Sequence, residues 1–86
     1  MFIEALADAG VAEGLKRPQA YQLAAQGVLG AAKLVLESGK HPGQLKDEVC
    51  SPFGSTIRGV VVLEKGAFRG TVIDALRTTI ARARLP

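Results

Sequence analysis

Apolar positions recur three and four residues apart along most of this chain, the spacing of a buried stripe on an α-helix. Phe2, Ala5, Leu6 and Ala9 share one such face, which predicts a first helix over about Phe2 to Glu13, stopped at Gly14. A second helix starts near Pro18, where a missing N–H costs nothing in a first turn, and runs to about Ser38 before Gly39 ends it. The third is short, about Pro42 to Val49, and the fourth, about Ser55 to Lys65, closes at Gly66. The fifth runs from about Phe68 to Arg84 on a stripe of Ile73, Leu76, Ile80 and Ala83. Val60, Val61 and Val62, with Leu63 after them, form a β-branched apolar run, and it lies inside the helical spacing of the fourth element, with Ile57 and Val61 four apart. No strand is expected, and the fold class is all-α, a five-helix domain.

The second helix sets the larger picture. It is apolar on almost every side, through Tyr21, Leu23, Val28, Leu29, Leu34, Val35 and Leu36, with small residues between them at Ala20, Ala24, Ala25, Gly27, Gly30, Ala31 and Ala32. A helix that is apolar all round is expected to be buried all round. Two glycines in a helix interior cost about 1 kcal/mol each against alanine, and close approach of another helix is the usual compensation. Only 86 residues are available to surround it, while 48% of them are apolar. Domains of this size bury a modest share of their surface, so apolar surface is left for a partner. An interlaced helical homodimer is therefore expected. A compact monomer with a central helix is the competing arrangement.

Charge changes this picture little. The net formal charge is +3, with basic residues scattered over several helices. The one concentration, Arg77, Arg82 and Arg84, falls near the end of the fifth helix, where cations complement the helix dipole. A DNA-binding module would gather its cations on one recognition helix, so no nucleic-acid partner is expected. The single cysteine, Cys50, forms no internal disulfide and suits a reducing compartment. Met1–Phe2–Ile3–Glu4 lacks the basic start of a secretory signal, and the longest apolar stretch, Ala20 to Leu36, contains Gln22, Gln26 and Lys33. A soluble, cytoplasmic chain without a membrane partner is expected. Its first helix begins at Met1 with no capping residue ahead of it, as though cut from something longer.

Several chemistries fail on spacing. No two glycines stand two positions apart, so the G-x-G-x-x-G dinucleotide fingerprint is missing. Gly54 and Gly59 have P-loop separation, but Val60 follows where lysine is required; a turn followed by a packing position explains the pair better. One histidine and one cysteine are too few for a zinc site, so no metal is expected. Cys50, His41 and Asp47 have the residue types of a nucleophile, base and orienter, but the first two fall at opposite ends of the short third helix, about 13 Å apart at 1.5 Å per residue. Cys50 is then a small buried apolar residue. His41, before Pro42, is a structural or surface residue at a helix start.

Ser51–Pro52–Phe53–Gly54–Ser55–Thr56 stands apart. It is a polar turn feeding directly into the fourth helix, where unsatisfied N–H groups and the dipole favour an anion. With three hydroxyls nearby, the place is sized for a carboxylate or phosphate. An ordinary helix start capped by Ser55 fits the same residues.

The stretch His41-Pro42-Gly43-Gln44-Leu45-Lys46-Asp47-Glu48-Val49-Cys50-Ser51-Pro52, followed by Gly54-Ser55-Thr56-Ile57, resembles the signature of pyrroline-5-carboxylate reductases. The likeness extends through Glu4 to Val11, Ala24 to Lys33, and Leu63–Glu64 with Gly66, Phe68 and Arg69, nearly the whole chain. It implies a family that reduces 1-pyrroline-5-carboxylate to proline with hydride from NADPH or NADH, the last step of proline biosynthesis. It also implies that residues 1–86 form the C-terminal dimerisation and substrate-binding domain. The NADP or NAD would be bound by an N-terminal Rossmann domain that lies outside this chain. A homodimer is implied, with a possible higher oligomer of dimers, and the partner of the site is a small-molecule substrate. Ser51, Gly54, Ser55 and Thr56 match the positions that hold the substrate carboxylate, and the threonine matching Thr56 also meets the ring nitrogen, a catalytic role. The alternative is a dimerisation module without activity of its own. Phe53 departs from the family, which usually has glycine there; if that position has positive φ, phenylalanine is strained by about 1–2 kcal/mol.

Overall fold

A computed structural model describes residues 1–84. Five helices follow one another: α1 (Phe2–Ala12), α2 (Arg17–Ser38), α3 (Pro42–Val49), α4 (Ser55–Lys65) and α5 (Phe68–Ala83). There is no strand among the described residues. The all-α, five-helix reading holds, with each end within a residue of the expected one.

The boundaries have local causes. Gly14 takes φ +107°. Its N–H reaches the Val11 carbonyl at 3.0 Å, and the Leu15 N–H reaches back to the Gly10 carbonyl at 2.9 Å. This pair of crossed hydrogen bonds is the Schellman closure of a helix, and it satisfies two orphan carbonyls of α1. Pro18 sits within the first turn of α2. Gly39 ends that helix at φ +67°, donating to the Val35 carbonyl at 3.2 Å. His41 is structural, as expected: its Nδ1 accepts the Gly43 N–H at 2.9 Å, capping the start of α3 with an imidazole.

The chain divides into two compact units, residues 1–45 and Lys46 onward. In the first, α1 packs on α2. Ala7 and Ala20 are buried, the only two such residues among those described. A Cβ on Gly10 would lie 3.1 Å from Leu15 Cδ1 and 3.4 Å from Ala20 Cβ, so this glycine is where the two helices approach closely. Arg17 adds an ion pair to Asp8 and lies 5.7 Å from the centre of the Tyr21 ring. In the second unit, α4 and α5 are joined through Gly66 and Ala67, the latter at φ +55°, and the Arg69 Nε meets Glu64 Oε1 at 2.9 Å.

On α2, Leu23, Leu29, Leu34 and Leu36 are all exposed. A Cβ at Gly27 or Gly30 would meet nothing within 4 Å. Gly59, expected at a packing position, is equally open.

Candidate functional site

The turn between α3 and α4 lies wholly within the second unit. The Gly54 N–H donates to the Ser51 carbonyl at 3.0 Å, closing a four-residue turn with Pro52 and Phe53 at its centre. Proline presets the first central position of such a turn, and the second requires positive φ when the turn is of type II. Phe53 has φ +61°, so phenylalanine does stand where glycine is favoured.

Gly54, not Ser55, is the N-cap of α4, in extended geometry at φ −71° and ψ 168°. The sequence expectation of a Ser55 cap is thereby corrected: Ser55 is the first helical residue. Glycine at the cap has a steric reason. A Cβ there would fall 2.5 Å from Ser51 Oγ and 3.1 Å from the Ser51 carbonyl oxygen. That closeness also places the Ser51 hydroxyl beside the helix start. No side chain caps α4, so its first-turn N–H groups keep their capacity to bind an anion.

The structure therefore brings Ser51 against Gly54 and sets Ser55 and Thr56 in the first turn behind it, Ser51, Ser55 and Thr56 all exposed. Charge nearby comes from Arg58, which with Phe53, Ile57 and Val61 lines a depression along the start of α4. Ile57 figured in the sequence pattern as a helical-spacing partner of Val61; Arg58, beside it on α4, did not figure there. On the α3 side, the Asp47 carboxylate lies 2.8 Å from Lys46 Nζ and holds that ammonium above its ordinary pKa through the hydrogen bond, so the pair satisfies itself. Cys50 is half-buried and its sulfur is a free thiol. Among the described residues, no three His, Cys, Asp or Glu side chains converge as a metal set. None of the described helices is long and apolar enough to cross a membrane.

The described residues form helices and turns without a strand, with an uncapped helix start behind a serine turn and large exposed apolar side chains, which are the features of a helical assembly domain. Comparison with known proteins gives it a family. The pyrroline-5-carboxylate reductase dimerisation family matches residues 1–85, and the chain belongs to it. Pyrroline-5-carboxylate reductase of Escherichia coli strain K12 is 62% identical over 76 residues, 88% of this chain and 28% of that protein. Among solved structures, the Streptococcus pyogenes 1-pyrroline-5-carboxylate reductase superposes with a TM-score of 0.92 at 40% identity, covering 96% of this chain and 32% of that one. Pyrroline carboxylate reductase of Plasmodium falciparum, a structure with NADP bound, superposes with a TM-score of 0.91 at 38% identity, over 96% of this chain and 32% of that one. These 86 residues thus span about a third of the length of the relatives they match.

Proposed function

We propose that this chain is the dimerisation and substrate-binding portion of a reductase that converts 1-pyrroline-5-carboxylate to L-proline with NAD(P)H, in a cytoplasmic setting that suits its free thiol. The observation that carries the reading is the family match over residues 1–85. The uncapped start of α4 gives it a chemical place, because the substrate is a carboxylate and the turn presents N–H groups and hydroxyls without a side-chain cap.

The cofactor supplies the hydride; protein groups position the reacting carbon and stabilise charge. These residues carry no glycine-rich strand-to-helix turn, and on this reading the nucleotide is held by a Rossmann domain outside this chain. What remains here is orientation. Ser51, Gly54 and Ser55 hold the carboxylate at the helix N-terminus, and the Thr56 hydroxyl hydrogen-bonds the ring nitrogen.

Exposed apolar surface on α2 supports a homodimer, with a further assembly of dimers compatible with the same surface. Leu23 and Leu29 are each 60% exposed and Leu36 is 83% exposed. At about 25 cal/mol per Å² of apolar surface removed from water, a second copy covering such a helix is a large stabilising term.

Steady-state kinetics on Thr56→Val tests the site, using this chain joined behind the nucleotide-binding portion of the Escherichia coli relative. Valine keeps the shape and removes the hydroxyl. Loss of a hydrogen bond to a charged or developing-charge group should cost roughly 1.5–3 kcal/mol, about one to two orders of magnitude in kcat/KM. Efficiency unchanged within twofold would remove this turn from the substrate site.

A further inference from the structure

Little within the chain holds α3. It is 8 residues long, and none of them is buried. Helices this short are marginal in water without packing, because few hydrogen bonds repay the ordering of the first turn. What fixes its start is local. The Leu45 N–H donates to the His41 carbonyl at 3.1 Å, the first bond of the helix, which makes His41 the N-cap. The Gly43 N–H donates to His41 Nδ1 at 2.9 Å. A Cβ on Gly43 would lie 3.0 Å from that nitrogen, so the ring sits directly over the backbone it caps.

An imidazole differs from the usual capping side chains in one respect. Serine, threonine and asparagine keep an acceptor oxygen at every ordinary pH. A histidine ring loses its acceptor when it takes up a proton, since both nitrogens then carry hydrogen. The bond from Gly43 requires a bare Nδ1, with the hydrogen of the neutral ring on Nε2. Protonation sets an N–H against an N–H, and it places a positive charge at the positive end of the helix dipole. No acidic residue lies in the first turn of α3 to offset that charge. Of the charged groups nearest in the chain, Glu37 on α2 lies 3.8 Å from Lys33, and Asp47 on α3 lies 2.8 Å from Lys46. The other two, Lys40 and Glu48, also have interactions of their own. His41 is exposed, so a proton reaches the ring without unfolding.

We propose that His41 is a proton-sensitive cap: the neutral ring fixes the first turn of α3, and the protonated ring releases it. The sign follows from the acceptor. The capped turn is available only to the neutral ring, so its contribution is present at higher pH and is lost as pH falls through the ring's titration. α3 ends at Val49 and Ser51 opens the serine turn, so the switch acts on the helix that leads into that turn.

The test is amide hydrogen exchange followed by nuclear magnetic resonance on this chain, from about pH 8 to about pH 5, the interval in which histidines change charge. The His41 ring resonances report protonation, and the Gly43 amide reports the cap. Removing an N-cap shifts a helix end by about two- to thirtyfold. The protection factor of the Gly43 amide should therefore fall about threefold or more as the ring titrates, while amides of the α1–α2 hairpin such as Ala20 keep theirs. His41→Asn supplies a capping oxygen that does not titrate, and Gly43 protection should then stay high and flat. In His41→Ala it should be low at both ends of the interval. Gly43 protection that holds steady while the ring titrates overturns the proposal, and so does the wild-type pH profile persisting in His41→Asn. A loss shared equally by Ala20 is acid unfolding of the chain, and it overturns the local switch as well.

Discussion

Residues 1–45 and the residues from Lys46 onward are built by the same local rules and finish in different states. The α1–α2 hairpin has an interior of its own. Gly10 lets α2 come close, Ala7 and Ala20 fill the gap, and Leu15 folds back over the Schellman turn. The α4–α5 pair has well-formed helices but no buried residue among those described. It is held by the Gly66–Ala67 link and one exposed ion pair. Local signals suffice to end and start helices; they do not supply a core. Both units leave large apolar side chains in water, and the account assigns their covering to a second copy.

Breaking that covering should have the largest effect. Leu29→Asp places a carboxylate on the exposed apolar side of α2. In a lone chain an exposed substitution of this kind stays within about 0.5 kcal/mol. In a homodimer it buries an uncompensated charge, at a cost of several kcal/mol. Dissociation together with loss of helical circular dichroism is the expected outcome, and a chain that melts as wild type would place α2 outside the interface.

Glycine substitutions sharpen the contrast between the covered and the bare sides of α2. Gly10→Val drives side-chain atoms into Leu15 and Ala20, and overpacking of this kind costs about 1–3 kcal/mol. Gly27→Ala meets nothing within the chain and by helix propensity alone would stabilise by about 1 kcal/mol. If the partner's backbone approaches that side closely, the same change destabilises instead. Thermal melts on both variants, at two protein concentrations, read the sign. The smallest effect belongs to the α4–α5 link: Glu64→Ala removes an exposed ion pair with Arg69 and should cost no more than about 1 kcal/mol by denaturant titration.

Much of the architecture was legible in the sequence because its punctuation is local. Gly14, Gly39 and Gly66 end helices, and Pro18 and Pro42 lie at helix starts, all where the residue types ask for it. What the sequence misplaced depends on neighbours that periodicity does not reveal. The all-round apolar pattern of α2 pointed to covering by a partner copy, and within the chain itself Leu23, Leu29, Leu34 and Leu36 are exposed. Periodicity did not reveal the close approach at Gly10, two residues before the end of α1, where a Cβ would lie 3.1 Å from Leu15 Cδ1. At the candidate site, Ser55 has the composition of a cap, yet the extended residue is Gly54, because the Ser51 side chain occupies the space a cap's Cβ would need. The serine turn and its residues were visible beforehand; the positive φ at Phe53 was foreseen only as a conditional strain, and the structure gives it as +61°.

Sedimentation equilibrium of this chain across the micromolar range tests the central claim most directly, because everything above depends on a second copy completing what one chain leaves open. A mass of twice 9.0 kDa or a larger even multiple, with helical circular dichroism retained, is the expected result. A folded, stable species at the mass of one chain throughout that range would contradict it.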